Sequence, residues 1–566
     1  MKNPTSDIVL SIALLLSVTF ISCKEKSNAP SKEDLEAMNL KRGNVILCGP
    51  ADQVFGDVNF ETSCPDIVKE QFALALSMLH SFEYDEAEKA FAKVLDAAPD
   101  CAMAYWGIAM SNFHPLWTPP TEPELEKGAR SLAIAKSITQ KSAREAAYID
   151  AIRLLFQDWK NLDHKTRSKM YEVAMARIYA DYPEDKEAAI LYALALDGTA
   201  DPADTTFTNQ KKAGNILTAL NPGEKDHPGL IHYMIHTYDS PALATQALAA
   251  ARKYASIAPS SAHAQHMPSH IFTRLGLWDE SIKSNLISAD AAKCYAEASG
   301  MQGHWDEEMH ALDYLMYAYL QKGDNVKAKE ILDYTMTIDA VSAGNFKNAY
   351  AFAAIPARYA LENKLWAEAR NLKPYPQSFP WAKYPWQQAM IHFTRLMGAV
   401  HLDQLEHARS ELKLLSAQHD TLTAQKDAYK ANQVMIQLKA GEAWILMKEG
   451  KQKEALALMH KAANMEDLTQ KHPVTPGEVI PARELLVDML MESSQPEKAL
   501  IEYETSLKKT PNRLNAVYGA AFAAEKANQP EKAKQYYSQL ISIATTSQLK
   551  RTELKKAELY LKREII

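Results

Sequence analysis

The stretch QPEKALIEYETSLKKTPN (495–512) is followed by a partial copy, QPEKAKQYYSQL (529–540), in which Ala533 stands 34 residues after Ala499 and Tyr537 stands 34 after Tyr503. The same spacing occurs far upstream in YDEAEKAFAKVLDAAPD (84–100), with Ala87, Phe91 and Pro99 in the places of Ala499, Tyr503 and Pro511. Between the two C-terminal copies, NAVYGAAFAAEKANQ (515–529) supplies an alanine-rich helix with small residues where two helices would touch. A fixed period of this length means one supersecondary unit stacked many times. Glycine is scarce at 19 of 566 residues, which favours helix over sheet.

The pattern resembles the tetratricopeptide repeat, with two helices per unit, small residues at their crossing and a proline ending the second. With each conserved-type alanine as the twentieth residue, units fall at 68–101, 102–135, 228–261, 262–295, 309–342, 350–383, 436–469, 480–513 and 514–547, and Ser281 replaces the alanine in 262–295. The expected fold is all-α, a right-handed solenoid of about nine or more helix pairs in two halves. One half covers 66–372 and the other 389–547, and a proline-aromatic break (373–388, containing KPYPQSFPWAKYPW) lies between them. The 350–383 frame overlaps that break, so its second helix must be short. Residues 136–227 read as helical but in poor register. Residues 46–65, with VILCG and FGDVNF, form a short irregular segment and the only plausible strand-bearing one, and 548–566 reads as a charged capping helix.

The beginning of the chain reads as an export signal. Lys2 precedes the apolar run Ile8 to Ile21, which is too short for a membrane span, and Ser22-Cys23 follows. This ending resembles the lipobox of bacterial lipoproteins, and that resemblance implies removal of 1–22, lipidation of Cys23 and a polar tether over 23–45. A plain signal peptide cut nearby is the alternative. The expected location is the bacterial cell envelope, periplasmic or outer-membrane, with a lipid anchor in the membrane. The remaining cysteines, Cys48, Cys64, Cys101 and Cys294, contain no CxxC pair, and an exported chain keeps disulfides. Cys64 and Cys101 each precede the first helix of neighbouring units, which predicts a bridge between them, with Cys48 the rival partner of either. A net charge of −7 gives no basic footprint for nucleic acid.

Eight of the 17 histidines lie between His227 and His310. The repeat register sharpens this clustering. His232 and His236 hold the fifth and ninth places of their unit, and His266 and His270 hold the same places in the next, with His263 at the second. His310 and Asp313 take the second and fifth places of unit 309–342. These places share one helix face, because steps of three and four return to the same side. In tetratricopeptide proteins that face lines the concave groove. The reading is a transition-metal site with His232, His236, His266 and His270 at its core. His263, His310 and Asp313 would add ligands or support them. Imidazole with carboxylate suits zinc, iron, copper or nickel. His304 and Glu307, from the insertion 296–308, are lid candidates, and Arg274 and Tyr317 also face the groove. Pro268 predicts a helix starting only at Met267 or Pro268, which would leave His263 in a loop. The competing reading is a hydrogen-bonded polar seam without metal, in which histidines pair with Asp239, Asp313 or tyrosines.

His232-Tyr-Met-Ile-His236 matches zinc peptidases in spacing only, since Tyr233 stands where they carry glutamate. Weaker groove candidates are His80, His114, Trp106, Arg358, Glu478, Glu484 and Asp488. The segments HPGLIHYMIHTYD, HMPSHIFTRLGLWDE and GHWDEEMHALDYL resemble a family of large bacterial exported tetratricopeptide proteins, a resemblance that implies fold and export but no chemistry. Three functions stay open. An interaction module for a peptide or protein predicts an open groove, and a metalloprotein or metal-dependent enzyme predicts a closed pocket where histidines converge under a lid. A glycan-binding envelope lipoprotein shares the length and lipidation. Phosphate loops, dinucleotide fingerprints, nucleophile elbows and HExxH motifs are absent from the sequence.

Overall fold

The computed structural model describes residues 30, 32–48, 55–116, 119–342, 344–544 and 551–563. The signal run and Cys23 lie outside the described residues. Within them the chain is a helical solenoid of twelve successive helix pairs, from Lys69–His80 with Tyr84–Ala97 to Leu514–Lys526 with Pro530–Ile543, and Thr552–Arg563 packs on the last. It is a tetratricopeptide-type array. The poorly registered stretch holds two of these pairs, Ala143–Phe156 with His164–Asp181 and Lys186–Gly198 with Thr208–Leu220. Their first helices start 43 residues apart, and the next begins 42 later at Pro228, so loops longer than the repeat allows broke the period. The second helix after Phe346–Glu362 is the short Trp366–Arg370.

The repeat is held by a ring set into a gap. Phe91 and Tyr503 are the twenty-fourth residues of their units, and Gly107 and Gly519 are the sixth of the units that follow. A Cβ on Gly107 would lie 2.4 Å from the Phe91 ring, and one on Gly519 would lie 2.1 Å from that of Tyr503. Each aromatic ring therefore packs directly on the next unit's backbone, and both rings are buried.

The expected strand segment is corrected. No strand occurs among the described residues, and the lone bridge joins His304 to Val341. Residues 44–48 and 55–65 run without helix or strand across the helices, and their polar groups are met by side chains and loops. The Ile46 amide donates to Glu86 at 2.7 Å, that of Asp57 to the Asp226 carbonyl at 3.1 Å, and that of Ser63 to Glu145 at 2.7 Å. Phe60 is buried between Phe72 and Trp106. Two disulfides fasten this strap: Cys64 to Cys101, with Cα atoms 4.8 Å apart, and Cys48 to Cys294, 5.8 Å apart.

The solenoid coils tightly enough for distant units to meet. Ser261 donates to Glu83 at 2.6 Å and Tyr295 to Glu86 at 2.7 Å, which seats the first unit against the units at 228–295. From the other end, Trp278 donates to the Asn512 carbonyl at 2.9 Å and Lys471 reaches Asp239 at 3.1 Å. The histidine-bearing units are thereby enclosed by both ends of the chain. No helix among the described residues is long and apolar enough to cross a membrane.

Two predictions follow from this packing. Gly107→Ala and Gly519→Ala should each cost roughly 1–3 kcal/mol through forced displacement of the ring, read as a lower denaturation midpoint at unchanged slope. A neutral result at both would show that the units are not in contact there. Replacing Cys48 and Cys294 by serine should cost roughly 3–5 kcal/mol, because the bridge closes a loop of 246 residues. Alkylation before reduction should leave all four of these cysteines unmodified.

Candidate metal centre

Five of the six central histidines sit on two adjacent first helices. His232 and His236 come from Pro228–Thr237. His263, His266 and His270 come from Ala262–His266 and Pro268–Leu275. The helix breaks at Met267, and its longer piece starts at Pro268 as expected, but a short helical turn, Ala262–His266, precedes it. Met267 between the two halves has φ −52° and ψ −38°, its amide bonds the His263 carbonyl at 2.9 Å, and Ser261 caps the start by accepting from the Ala264 amide at 3.0 Å. His263 is therefore helical, contrary to the expected loop. Past the proline the His270 amide bonds the Met267 carbonyl three residues back at 3.1 Å, which tightens the chain at the junction. His310 comes from the following first helix, Asp306–Gln321.

The expected four-histidine core is revised to two triplets, His232/His236/His263 and His266/His270/His310. Within each triplet the candidate ligand atoms lie within 4.8 Å of one another. Both are built to one rule: the fifth and ninth places of one unit with the second place of the next. In the first, Nε2 of His232 lies 3.1 Å from that of His263 and 3.0 Å from that of His236. In the second, the Nε2 atoms of His266 and His270 are 2.9 Å apart. Two imidazoles on one ion, at metal–nitrogen bonds of about 2.0–2.1 Å, would hold their nitrogens about 2.9 Å apart at a right angle and about 3.4 Å apart in a tetrahedron.

The far ring nitrogens decide the tautomers. Nδ1 of His232 donates to the His80 carbonyl at 2.7 Å, and Nδ1 of His270 donates to Asp239 at 2.9 Å. Nδ1 of His266 donates to Asn285 Oδ1 at 2.6 Å, and the Asn285 amide group is oriented by its own donation to the Ser281 carbonyl at 2.8 Å. In neutral rings those acceptors leave the lone pair on Nε2, and the Nε2 atoms of His266 and His270 face each other across 2.9 Å. Two lone pairs at that distance repel unless a metal ion or a shared proton lies between them, and the proton is the polar-seam alternative. Burial, followed by neighbouring histidines or other local charges, holds His232, His236, His266 and His310 well below the ordinary imidazole range, so at neutral pH these rings are uncharged.

The remaining candidates divide. Glu307 is buried and its carboxylate approaches His263 Nδ1 at 3.7 Å while Lys347 engages its other side. Arg274 donates to Asp239 at 2.8 Å and so helps hold the carboxylate behind His270. Asp313 belongs to neither triplet, because Arg358 takes its carboxylate in a buried ion pair. Tyr317 accepts from Arg513 at 2.9 Å, and Arg513 also pairs with Glu362 and Glu484. His304 faces Glu308 at 2.7 Å and its backbone pairs with 340–342, so of the expected lid only Glu307 reaches a triplet. Among the weaker groove candidates, Asp488 pairs with Lys364 at 3.3 Å, and Trp106 packs on Phe60.

Sequence reasoning missed three features. Phe82, in a left-handed turn with φ 59°, lays its ring 4.4 Å from that of His232 and 5.6 Å from those of His236 and His263. Tyr314 stands edge-on to His266 at 4.7 Å. A third group, His80, Glu187 and His227, is gathered from three separate helical regions, and Glu187 bonds both rings, at 3.1 and 2.6 Å. Nothing in the spacing of these residues marks them, since their partners arrive through the coiling of the solenoid. A cavity of about 460 Å³ borders the first triplet, and its walls include Phe82, Glu83, His263, Trp305, Glu307 and Lys347.

No family profile and no curated protein sequence matches the chain. Solved structures that align with it include the human IFIT1 dimer with PPP-AAAA, 12% identical over 82% of this chain and 94% of that one, with a TM-score of 0.36. Others are the APC/C hetero-tetramer Cut9-Hcn1, 12% identical over 88% and 90% with a TM-score of 0.30, and the P58(IPK) TPR domain, 15% identical over 67% and 99% with a TM-score of 0.19. At these scores they carry no argument about the site.

Glu83, on the cavity wall, is raised to about 8, first by burial, against which the Ser261 hydrogen bond works, and then by the nearby carboxylates of Glu307, Glu86 and Asp85. In the unfolded chain it would titrate near 4.5. Between those values the native state holds the extra proton, so stability falls as pH rises through that window. Glu83→Gln should remove this slope and leave the protein more stable than wild type at pH 9 by thermal melting. Parallel pH profiles for the two proteins would refute the assignment.

Proposed function

We propose that this chain is a transition-metal-binding solenoid with two three-histidine sites, the first of which opens onto a pocket for a small ligand. The observation that carries the reading is the approach of Nε2 of His266 to Nε2 of His270, 2.9 Å apart in a buried site with each Nδ1 held by its own acceptor. Histidines that ligate metal commonly donate the other ring N–H to a carboxylate or carbonyl, as His232, His266 and His270 do here. Enclosure of these units by both ends of the chain favours a small ligand over an extended peptide, and the cavity of about 460 Å³ has the size of a small-molecule site. A metal-dependent enzyme remains within this reading. There the pocket would supply an open position at the first ion, with Glu307 as the nearest acid. The two disulfides support an oxidising compartment. With the Ser22-Cys23 ending they support export and a lipid anchor on a bacterial envelope membrane.

Protein purified without chelator, or stripped and challenged with zinc, copper and iron, should retain metal by elemental analysis. His232→Ala/His270→Ala should retain none while keeping its helical circular dichroism. Wild-type protein that stays metal-free under all three challenges would leave the polar seam as the correct description.

A further inference from the structure

We infer that the two triplets form one dinuclear copper site rather than two independent ion sites. This inference rests on the metal-binding reading above and adds to it the identity of the metal and the coupling of the pair.

Adjacency carries the pairing. His263 of the first triplet and His266 of the second are three residues apart on one helix, which places their Cβ atoms about 5–6 Å apart. Across the helix–helix contact, His236 of the first triplet faces His270 of the second with ring centroids 6.1 Å apart. That is the same 6.1 Å that separates His236 from His263 within the first triplet and His270 from His310 within the second. The other ring pairs within the triplets are closer, at 4.1–5.0 Å, so these are two sets that meet through His236 and His270. Phe82 covers one end and Tyr314 the other, with the Asp239–Arg274 and Glu307–Lys347 pairs beside the rings.

Donor chemistry carries the metal. All six donors are imidazoles, and the nearest carboxylates, Asp239 and Glu307, lie behind the rings on the Nδ1 side. Paired iron and manganese in helical bundles are held largely by glutamates, whose charge offsets that of the ions. Here every donor is an imidazole, which ligates in its neutral form. Copper heads the affinity order of first-row ions for nitrogen ligands. Among the metals that imidazole suits, copper also has a stable monovalent state, so a cuprous pair adds two charges where a zinc or ferrous pair adds four. In a buried seam that difference favours copper, because an uncompensated ion pays heavily for leaving water.

The test uses the full chain, stripped of metal, loaded anaerobically with cuprous ion and then oxidised with dioxygen to the cupric state. Two cupric ions bridged by one solvent oxygen couple their spins, so the expected result is two coppers bound per chain and almost no electron paramagnetic resonance signal. His270→Gln and His236→Gln, each missing one ligand from a different triplet, should bind one copper fully visible in the spectrum. Circular dichroism identical to wild type confirms that each variant is folded, and His310→Gln substitutes for His270→Gln if that variant unfolds. A wild-type spectrum integrating to two uncoupled spins would overturn the dinuclear inference and leave metal binding intact. Displacement of copper by equimolar zinc would overturn the choice of metal, and failure to bind any ion would remove the underlying reading with it.

Discussion

Side-by-side packing of successive first helices is the constraint on which the rest of this molecule depends. A ring from one unit enters the space above a glycine of the next, as Phe91 does at Gly107 and Tyr503 does at Gly519. At the two ends of the array that contact fixes the offset between neighbours, and in the central units, where the matching places hold Ala251 with Met267 and Asn285 with Tyr314, the helices stack without it. Once the offset is fixed, the fifth and ninth places of one unit must face the second place of its successor. The histidines are therefore assembled by backbone stacking, and no local loop has to bring them together.

Coiling then sets the medium around them. Because both ends of the chain close over the units at 228–320, the imidazoles sit in a dry space where each polar atom must have a partner. The partners found are backbone, amide and carboxylate oxygens placed behind the rings: His80, Asn285 and Asp239. Farther along the same face, matching places carry charge of both signs. Asp313 and Arg358 neutralise each other there, and Arg513 is shared by Glu362 and Glu484. One register thus holds neighbouring imidazoles and, from Asp313 onward, self-compensated ion pairs.

The 34-residue period made the solenoid legible, since alanine, aromatic and proline recur where helix geometry requires them. Legibility failed where that period was broken. Loops lengthened the units at 143–227, and the strap at 55–65 satisfies amides on the Asp226 carbonyl and the Glu145 side chain instead of a neighbouring strand, so its apolar residues imitated a strand. In the centre, the face and the residues were readable but the grouping was not. Reading each helix as its own ligand pair joined His232 and His236 to His266 and His270. In the structure, the second-place histidine of the following unit completes each set instead. Asp313 followed the same rule of position, yet Arg358, one unit on, was the nearer claim on its charge. Phe82 and the His80, Glu187 and His227 group arrive through superhelical closure, which a linear pattern does not encode.

The fixed offset between successive units also makes the histidine sets modular in heredity. A gene segment encoding one unit carries a fifth-place and a ninth-place histidine, together with the second-place residue that completes its predecessor's set. Tandem duplication of such a segment copies a whole set at once, already in register, without any new loop or any change of fold. Deletion of one unit would likewise remove a set cleanly and rejoin its neighbours in phase. Here the unit of inheritance and the unit that groups three imidazoles are the same length of chain.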